Sequence, residues 1–305
     1  ARGAAVPVDD ETALYAHAGL AWIVPELREG RGEVRAAADG ALPSLLLPAD
    51  VQGVLHCHST WSDGQASIAE MADAARARGW RYLGITDHSE SASYAGGMRP
   101  DAVRRQHDEI DALNEGLTRD GVDFRVLKGV EADIRDDGSL DYADARGAAA
   151  GTLDAFDYVV GSVHSRFAMD AARMTDRVCR ALDDPRLTIL GHPTGRLLLA
   201  REPYAIDLPT VIAKAADVGA AIELNADPHR LDLDWRHCRD AAALGVTIEI
   251  GPDAHSTHGL DHVAIGVGVA RKGWLTRDDV LNTRSADAVL AFARARRDAR
   301  AASPR

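Results

Sequence analysis

Six apolar stretches of strand length, each running into a histidine, aspartate or glutamate, constrain this chain more than any other feature. The first reads Val54-Leu55-His56-Cys57-His58 and continues Ser59-Thr60-Trp61-Ser62-Asp63-Gly64. On an extended backbone alternate side chains share a face, so His56 and His58 point together, Cys57 points away, and Asp63 arrives from the loop beyond. Residues 82–86 lead to Asp87-His88, 124–130 to Glu131, 156–163 to His164 and 187–191 to His192; residues 246–250 deliver Asp253 and His255 through Gly251-Pro252. Six of the twelve histidines therefore fall at strand ends. A single His-x-His is a weak signal, whereas this recurrence points to strand ends that converge.

Between these stretches the apolar period changes from two to 3.6. Ser67-Ile68-Ala69-Glu70 spells a capping box, in which hydroxyl and carboxylate satisfy two free N–H groups of a helix start. Ile68, Met71, Ala72 and Ala75 then form one face, and Gly79 closes the helix. After Pro100, Val103, Ile110, Leu113 and Leu117 ride a second helix to Gly121. Further helices are expected over residues 171–182, 209–218 and 235–244. Strands are expected over 53–57, 82–86, 124–131, 156–163, 187–191, 220–225 and 245–250. Seven strand-then-helix units without a glycine-rich dinucleotide fingerprint predict an α/β fold, a distorted (β/α)7 barrel of TIM-barrel type whose active face is the rim at the carboxyl ends of the strands.

A barrel of ~250 residues uses most of a chain this long, 305 residues at 46% hydrophobic content. Residues 1–48 read as a small N-terminal helical arm. Asp9-Asp10-Glu11-Thr12 opens a short helix to Ala18, Pro25 breaks what precedes it, and a further helix over 31–38 stops at Gly40 and Pro43. Residues 49–290 form the barrel and 291–305 a C-terminal tail.

A formal charge of -12 has the wrong sign for a protein that grips nucleic acid along an extended basic groove. Cys57, Cys179 and Cys238 are odd in number and in no C-x-x-C spacing, which excludes a disulfide framework and a zinc ribbon and suits a reducing compartment. No apolar run approaches the ~18 residues of a membrane span, and the first residues lack a signal-peptide apolar core. A soluble cytoplasmic protein is the expectation. Because the chain starts at Ala1 rather than at Met, it reads as a fragment or a processed chain.

The motifs His-x-His-x-x-x-Ser-Asp-Gly, Thr86-Asp87-His88-Ser89, Gly129-Val130-Glu131-Ala132-Asp133-Ile134, Gly161-Ser162-Val163-His164-Ser165, Gly191-His192-Pro193-Thr194-Gly195-Arg196, Glu223-Leu224-Asn225 and Asp253-Ala254-His255 resemble the polymerase and histidinol phosphatase (PHP) domain. More narrowly, 222–235, 266–283 and 14–33 resemble the version fused to bacterial X-family DNA polymerases, with 14–33 similar to the end of the polymerase portion. The polymerase active-site region is not in this sequence, so polymerisation is not expected. The resemblance implies three divalent metal ions. His56, His58, Glu131 and Asp253 would hold the first. Glu131 would bridge to a second, held also by His164. Asp63, His88, His192 and His255 would hold the third.

Imidazole with carboxylate suits Zn²⁺ or Mn²⁺, and Fe²⁺ is admissible. A carboxylate bridge holds two ions ~3.5–4 Å apart, where a bridging hydroxide can serve as nucleophile for in-line attack on phosphorus. The activity implied is phosphodiester hydrolysis, 3′–5′ exonuclease-like on DNA 3′ ends or acting on short oligonucleotides or small phosphodiesters. A histidinol-phosphatase type of phosphomonoesterase or a promiscuous phosphotriesterase is the alternative, and a non-catalytic, metal-stabilised domain that binds DNA or a polymerase is a reading of another class. The acidic balance argues against a stable nucleic-acid complex for this chain alone, and no oligomeric state is legible. Glu131, His164 and Asp253 are the catalytic candidates, joined by Arg196 as a clamp for a phosphate oxygen. Lys128 and Arg166 are weaker candidates of that kind. Asp87 and Asp133 are candidate acceptors for ligand imidazoles. Glu223, Asn225 and His229 are candidate pocket residues, and loop 89–98, with Gly96-Gly97, is a candidate lid. His17, His107, His237, His258 and His262 read as structural or exposed.

Overall fold

Seven strands pair in sequence order, all parallel, in the computed structural model, which describes residues 9–301. The arm contributes α1 (Glu11–His17) and α2 (Glu33–Ala38). The barrel follows as β1 (Gly53–Val54), α3 (Ile68–Ala77), β2 (Tyr82–Ile85), α4 (Pro100–Arg119), β3 (Arg125–Asp133), β4 (Tyr158–Ser162), α5 (Ala171–Leu182), β5 (Leu187–Leu190), α6 (Leu208–Val218), β6 (Ala221–Asn225), α7 (Trp235–Ala243), β7 (Ile248–Gly251), α8 (His262–Lys272) and α9 (Ala286–Ala301). The capping box at Ser67 and Glu70 forms as its spacing predicts, and Ile68, Met71, Ala72 and Ala75 are the residues that α3 buries. No helix among the described residues is long and apolar enough to cross a membrane.

Three expectations need correction. Strand β1 stops at Val54 instead of reaching 57. Beyond it the backbone bends at Leu55 and divides its hydrogen bonds between two neighbours: Thr86 N donates to Cys57 O (2.7 Å), and His58 N donates to Ala254 O (2.9 Å). Alternation survives, and Cys57 packs into the outer apolar layer between sheet and helices. The connection from β3 to β4 holds no α-helix; it opens with an antiparallel contact of Ile134 with Leu140 and continues through short 3-10 turns. Residues 291–301 are no tail but the body of α9, and Val289, Leu290 and Ala293 are buried against Leu55, Tyr82, Leu127 and Tyr158. Arg296, also on α9, donates to Leu187 O (3.0 Å), Val218 O (2.8 Å) and the Leu182 carbonyl.

Closure between β7 and β1 combines a parallel backbone contact of Cys57 with Ala254, just past the two strands, with one side chain below it. Asn282 donates from Nδ2 to Gly53 O and Ile250 O (each 3.1 Å) and accepts from Ile250 N at Oδ1 (2.7 Å). The Tyr158 hydroxyl donates to Leu55 O (2.6 Å). Its ring needs glycine beside it, since a Cβ at Gly84 would lie 2.0 Å from the Tyr158 oxygen and one at Gly129 2.4 Å from the ring. Interior filling of this kind makes the barrel a packed core and leaves chemistry to the rim. The arm packs Ile23, Leu27 and Ala37 against Trp274, and Glu26 is tied to Arg271 (2.8 Å).

Candidate metal centre

Parallel strands all finish at one end of a barrel, so side chains just past them share a rim. Glu131 lies within β3; His88 follows β2, His164 follows β4 and His192 follows β5 by two or three positions; Asp253 and His255 lie just past β7. His56, His58 and Asp63 come from the segment and turn after β1. All nine side chains meet, with three carboxylates interleaved among six imidazoles.

Glu131 is the hub. Its Oε1 lies 2.9 Å from His192 Nε2 and 3.2 Å from His164 Nε2, while Oε2 faces His88 Nδ1 (3.1 Å), His56 Nε2 (3.4 Å) and His58 Nε2 (3.7 Å). Asp253 Oδ1 lies 3.2 Å from His58 Nε2 and 3.7 Å from His56 Nε2. Asp63 reaches His255 (3.3 Å), His88 (3.6 Å) and His58 (3.7 Å). Three sets of donor atoms are each close enough for one cation: His56, His58 and Asp253; His88, Glu131 and His164; and His58, Asp63, His88 and His255. The last opens to solvent at Asp63 and His255, whereas the first is buried. The expected grouping placed His192 with Asp63, His88 and His255; the side chains lie differently in the structure. His192 Nε2 turns to Glu131, and His58 stands in that quartet instead.

Five imidazole nitrogens, His56 Nε2, His58 Nδ1 and Nε2, His88 Nδ1 and His192 Nδ1, are buried with no hydrogen-bond partner among the described residues. Four of them face carboxylate oxygens at 3.1 to 3.7 Å without making a hydrogen bond, an arrangement that is costly unless further charge completes it. Divalent cations fit this donor set, because neutral imidazole lone pairs and ionised carboxylates are the ligands they need. Burial, with His88 nearby, pushes His58 down to about 3, and burial also lowers His88 and His192. Burial works against a charged His164 as well, yet Glu131 and Asp133 hold it up at about 10. Asp63 and Asp253 likewise outweigh burial at His255 and hold it at about 9. Glu131 and Asp253 stay well below the usual carboxylate range despite burial, because His164 and His56 adjoin Glu131 and His56 and His58 adjoin Asp253.

A second layer orients the first. Glu223, fully buried on β6, accepts from His56 Nδ1 (2.5 Å) and from His192 N (2.5 Å), which turns His56 Nε2 toward the cluster. Asp133 pairs with His164 Nδ1 (2.7 Å), and Asn225 donates to Asp253 Oδ2 (3.0 Å). Asp87 takes another role than the expected acceptor for an imidazole. It accepts from Ser59 N and Oγ, Ser62 Oγ and Gln106 Nε2, and so fixes the turn that carries Asp63.

Other candidates lie elsewhere. Arg196 is taken up by the carbonyls of Arg230 and Leu231 and by Asp234 (3.0 Å), so it holds a loop and does not face the cluster. The arginine that does face it is Arg230, whose Nε lies 3.3 Å from Asp253 Oδ2 and whose buried Nη1 has no hydrogen-bond partner among the described residues. It falls one position after His229, where no period or motif separates it from the other arginines. Lys128 is engaged by Asp111 (2.6 Å) and Arg166 by Asp136 (3.0 Å). His229 is exposed and pairs with its neighbour Asp227. His107 is buried edge-on against Phe156. Loop 89–98 is pinned instead of hinged: Met98 N donates to His88 O (2.9 Å), Ser91 N to Asp141 (2.8 Å), and the Tyr142 hydroxyl accepts from Glu90 N (3.0 Å) while donating to Met98 O. Gly97 is there for contact, since a Cβ would lie 2.0 Å from Ser89 O.

The family model of the PHP domain matches residues 55–226. DNA polymerase/3′-5′ exonuclease PolX of Bacillus subtilis (strain 168) is 43% identical over 282 residues, 92% of this chain and 47% of that protein. The chain thus spans about half the length of that relative. A probable phosphatase of Thermoanaerobacter sp. (strain X514) is 30% identical over 241 residues, 75% of this chain and 89% of that protein. Among solved structures, histidinol phosphate phosphatase from Lactococcus lactis subsp. lactis, complexed with zinc, L-histidinol and phosphate, aligns with a TM-score of 0.55 at 16% identity, covering 73% of this chain and 93% of that one. At that identity the likeness is one of fold.

Proposed function

The chain belongs to the PHP domain family, and from that premise we propose that it is a metal-dependent phosphoesterase that hydrolyses phosphodiesters, with DNA 3′ ends, short oligonucleotides or small diesters as substrates. The observation that carries the reading is the set of buried, partnerless imidazole nitrogens around Glu131 and Asp253. His56, His58 and Asp253 would hold one divalent ion, Glu131, His88 and His164 a second, and Asp63, His88, His58 and His255 a third. Bound there, Zn²⁺, Mn²⁺ or Fe²⁺ would offset the charge that develops on phosphoryl oxygens and lower the pKa of water.

The protein's own groups have separate tasks. Glu223 and Asp133 keep His56 and His164 in the tautomer and rotation that face the cluster. Arg230, whose free N–H edge adjoins Asp253, clamps a phosphoryl oxygen. A water oxygen adds to phosphorus and gives up a proton to solvent, the ester P–O bond breaks, and the departing oxygen takes up a proton from solvent, so that one water is consumed per ester cleaved. No covalent intermediate on the protein is required. One unpartnered guanidinium nitrogen, on an arginine already paired with Asp253, suits the one negative charge of a diester better than the dianion of a monoester, which supports the diester reading over the phosphatase alternative.

The test is hydrolysis of bis-p-nitrophenyl phosphate and p-nitrophenyl phosphate by protein stripped with a chelator and then reloaded with Zn²⁺, Mn²⁺ or Fe²⁺. Loss on stripping, recovery on reloading and a higher kcat/KM for the diester are expected. Full turnover by the stripped protein ends the proposal, and a higher kcat/KM for the monoester assigns the phosphatase reading.

A further inference from the structure

We propose that the groove opening beside His164 is a subsite for a terminal nucleoside that bears no further phosphate, with the Tyr94 ring stacked on its base. The inference rests on the phosphodiesterase reading above and names what that site binds next to the phosphorus.

Tyr94 is 68% exposed although it belongs to a loop tied down at several points. Its ring centroid lies 6.1 Å from that of His88 and 6.1 Å from that of His164. A large exposed aromatic on a tied-down loop, beside two candidate metal ligands, is placed for contact, since the loop backbone is already ordered before binding. The ring forms one wall of a groove of about 520 Å³, with Ile134, Asp133, Asp136, Asp137 and His164 among the rest of the lining. That volume falls in the ~300–1,000 Å³ range of small-molecule sites. Because His164 belongs to both cluster and groove, a phosphoryl group at the cluster puts one of its ester substituents into the groove.

Charge selects the substituent. Arg135 at the groove is engaged by Asp141 (2.8 Å) and Asp144 (2.7 Å), and Arg166 by Asp136 (3.0 Å). Asp133 is shared with His164, and Asp137 accepts from Ser139 N and Oγ. The groove therefore keeps an acidic balance. A second phosphate is repelled there, whereas sugar hydroxyls and base N–H groups find carboxylate acceptors. A planar, uncharged group with donors on its edge satisfies wall and lining together, which is the description of a chain-terminal nucleoside. The rest of an oligonucleotide then leaves by another side of the cluster.

The experiment uses the metal-loaded protein and three single-stranded thymidine pentanucleotides, ending in a 3′-hydroxyl nucleoside, in a 3′-hydroxyl abasic tetrahydrofuran residue, or in a 3′-phosphate, with bis-p-nitrophenyl phosphate as a fourth substrate. The base-bearing 3′-hydroxyl end is expected to have the highest kcat/KM. Loss of one stacked base corresponds to about a tenfold change, so Tyr94→Ala should shrink the preference over the abasic end by that factor, mainly through KM. Tyr94→Phe, which keeps the ring, should preserve it. Asp136→Asn with Asp137→Asn should raise kcat/KM on the 3′-phosphate end relative to the 3′-hydroxyl end. Equal kcat/KM on base-bearing and abasic ends in the wild type, or an equal loss on both in Tyr94→Ala, overturns the subsite. If bis-p-nitrophenyl phosphate is still cleaved in that case, the phosphodiesterase reading stands alone; if nothing is cleaved, both fall.

Discussion

The two ends of the barrel bury polar groups to a similar depth and treat them in opposite ways. At the amino end of the strands Asn282 spends both its amide groups on Gly53 and Ile250, and Arg296 is distributed over the carbonyls of Leu182, Leu187 and Val218. At the carboxyl end, five imidazole nitrogens are left without a partner and three carboxylates crowd between them. Networks of the first kind stiffen a fold; imidazoles and carboxylates crowded together without mutual hydrogen bonds form the donor set that a cation completes. Cavity size does not make the distinction. The cleft of about 1090 Å³ between α4 and α9 lies at the amino end, yet among its lining Arg81 is answered by Asp123 and Arg125 by Asp287.

Four measurements sharpen or break this contrast. The largest effect belongs to Glu131→Gln, which removes the carboxylate facing five imidazoles. Hydrolysis per molecule should fall by at least about 100-fold with a loss of bound metal, read by steady-state kinetics beside elemental analysis. Undiminished activity would dissolve the distinction between the ends. Arg296→Ala should do the reverse. Leaving several buried carbonyls unanswered costs about 3 kcal/mol in chemical denaturation, while kcat/KM of the folded fraction stays at the wild-type value.

Glu223→Gln is the intermediate case, because Glu223 is buried like the amino-end groups but serves His56. Metal affinity should drop by about 10- to 100-fold, measured by competition with a chromophoric chelator, with a smaller change in denaturation midpoint. The smallest effect is one of pH. In metal-free protein His164 and His255 are held up at about 10 and about 9 from an ordinary 6.5. A raised folded pKa contributes stability that is complete below the unfolded value and lost as pH rises through the folded one. The melting temperature of stripped protein should therefore decline from about pH 6.5 to about pH 10. Metal-loaded protein should not follow it, because the ions replace those protons. Burial and Glu223 push the Glu249 carboxyl up to about 8 from an ordinary 4.5, which adds a decline over that lower range, and Glu249→Gln should flatten it.

The sequence by itself determined the alternation of strand and helix and the residue types past each strand, since apolar period, capping box and glycine stop are local properties that survive in any tertiary setting. His56, His58 and Asp63 could be aligned on one face from alternation and a turn alone. Only the tertiary structure decided which of these side chains are neighbours, with His58 beside Asp63, His88 and His255 and His192 against Glu131. It also decided that Arg230, rather than Arg196, faces the cluster, that loop 89–98 is pinned by Tyr142 and Asp141, and that the last residues of the barrel form a helix buried under Tyr82 and Tyr158. These are matters of register and of contacts between residues tens to hundreds of positions apart. A local pattern specifies which way a side chain points from its own strand, whereas the partner it meets is set by the stagger of neighbouring strands and by the packing that closes the barrel.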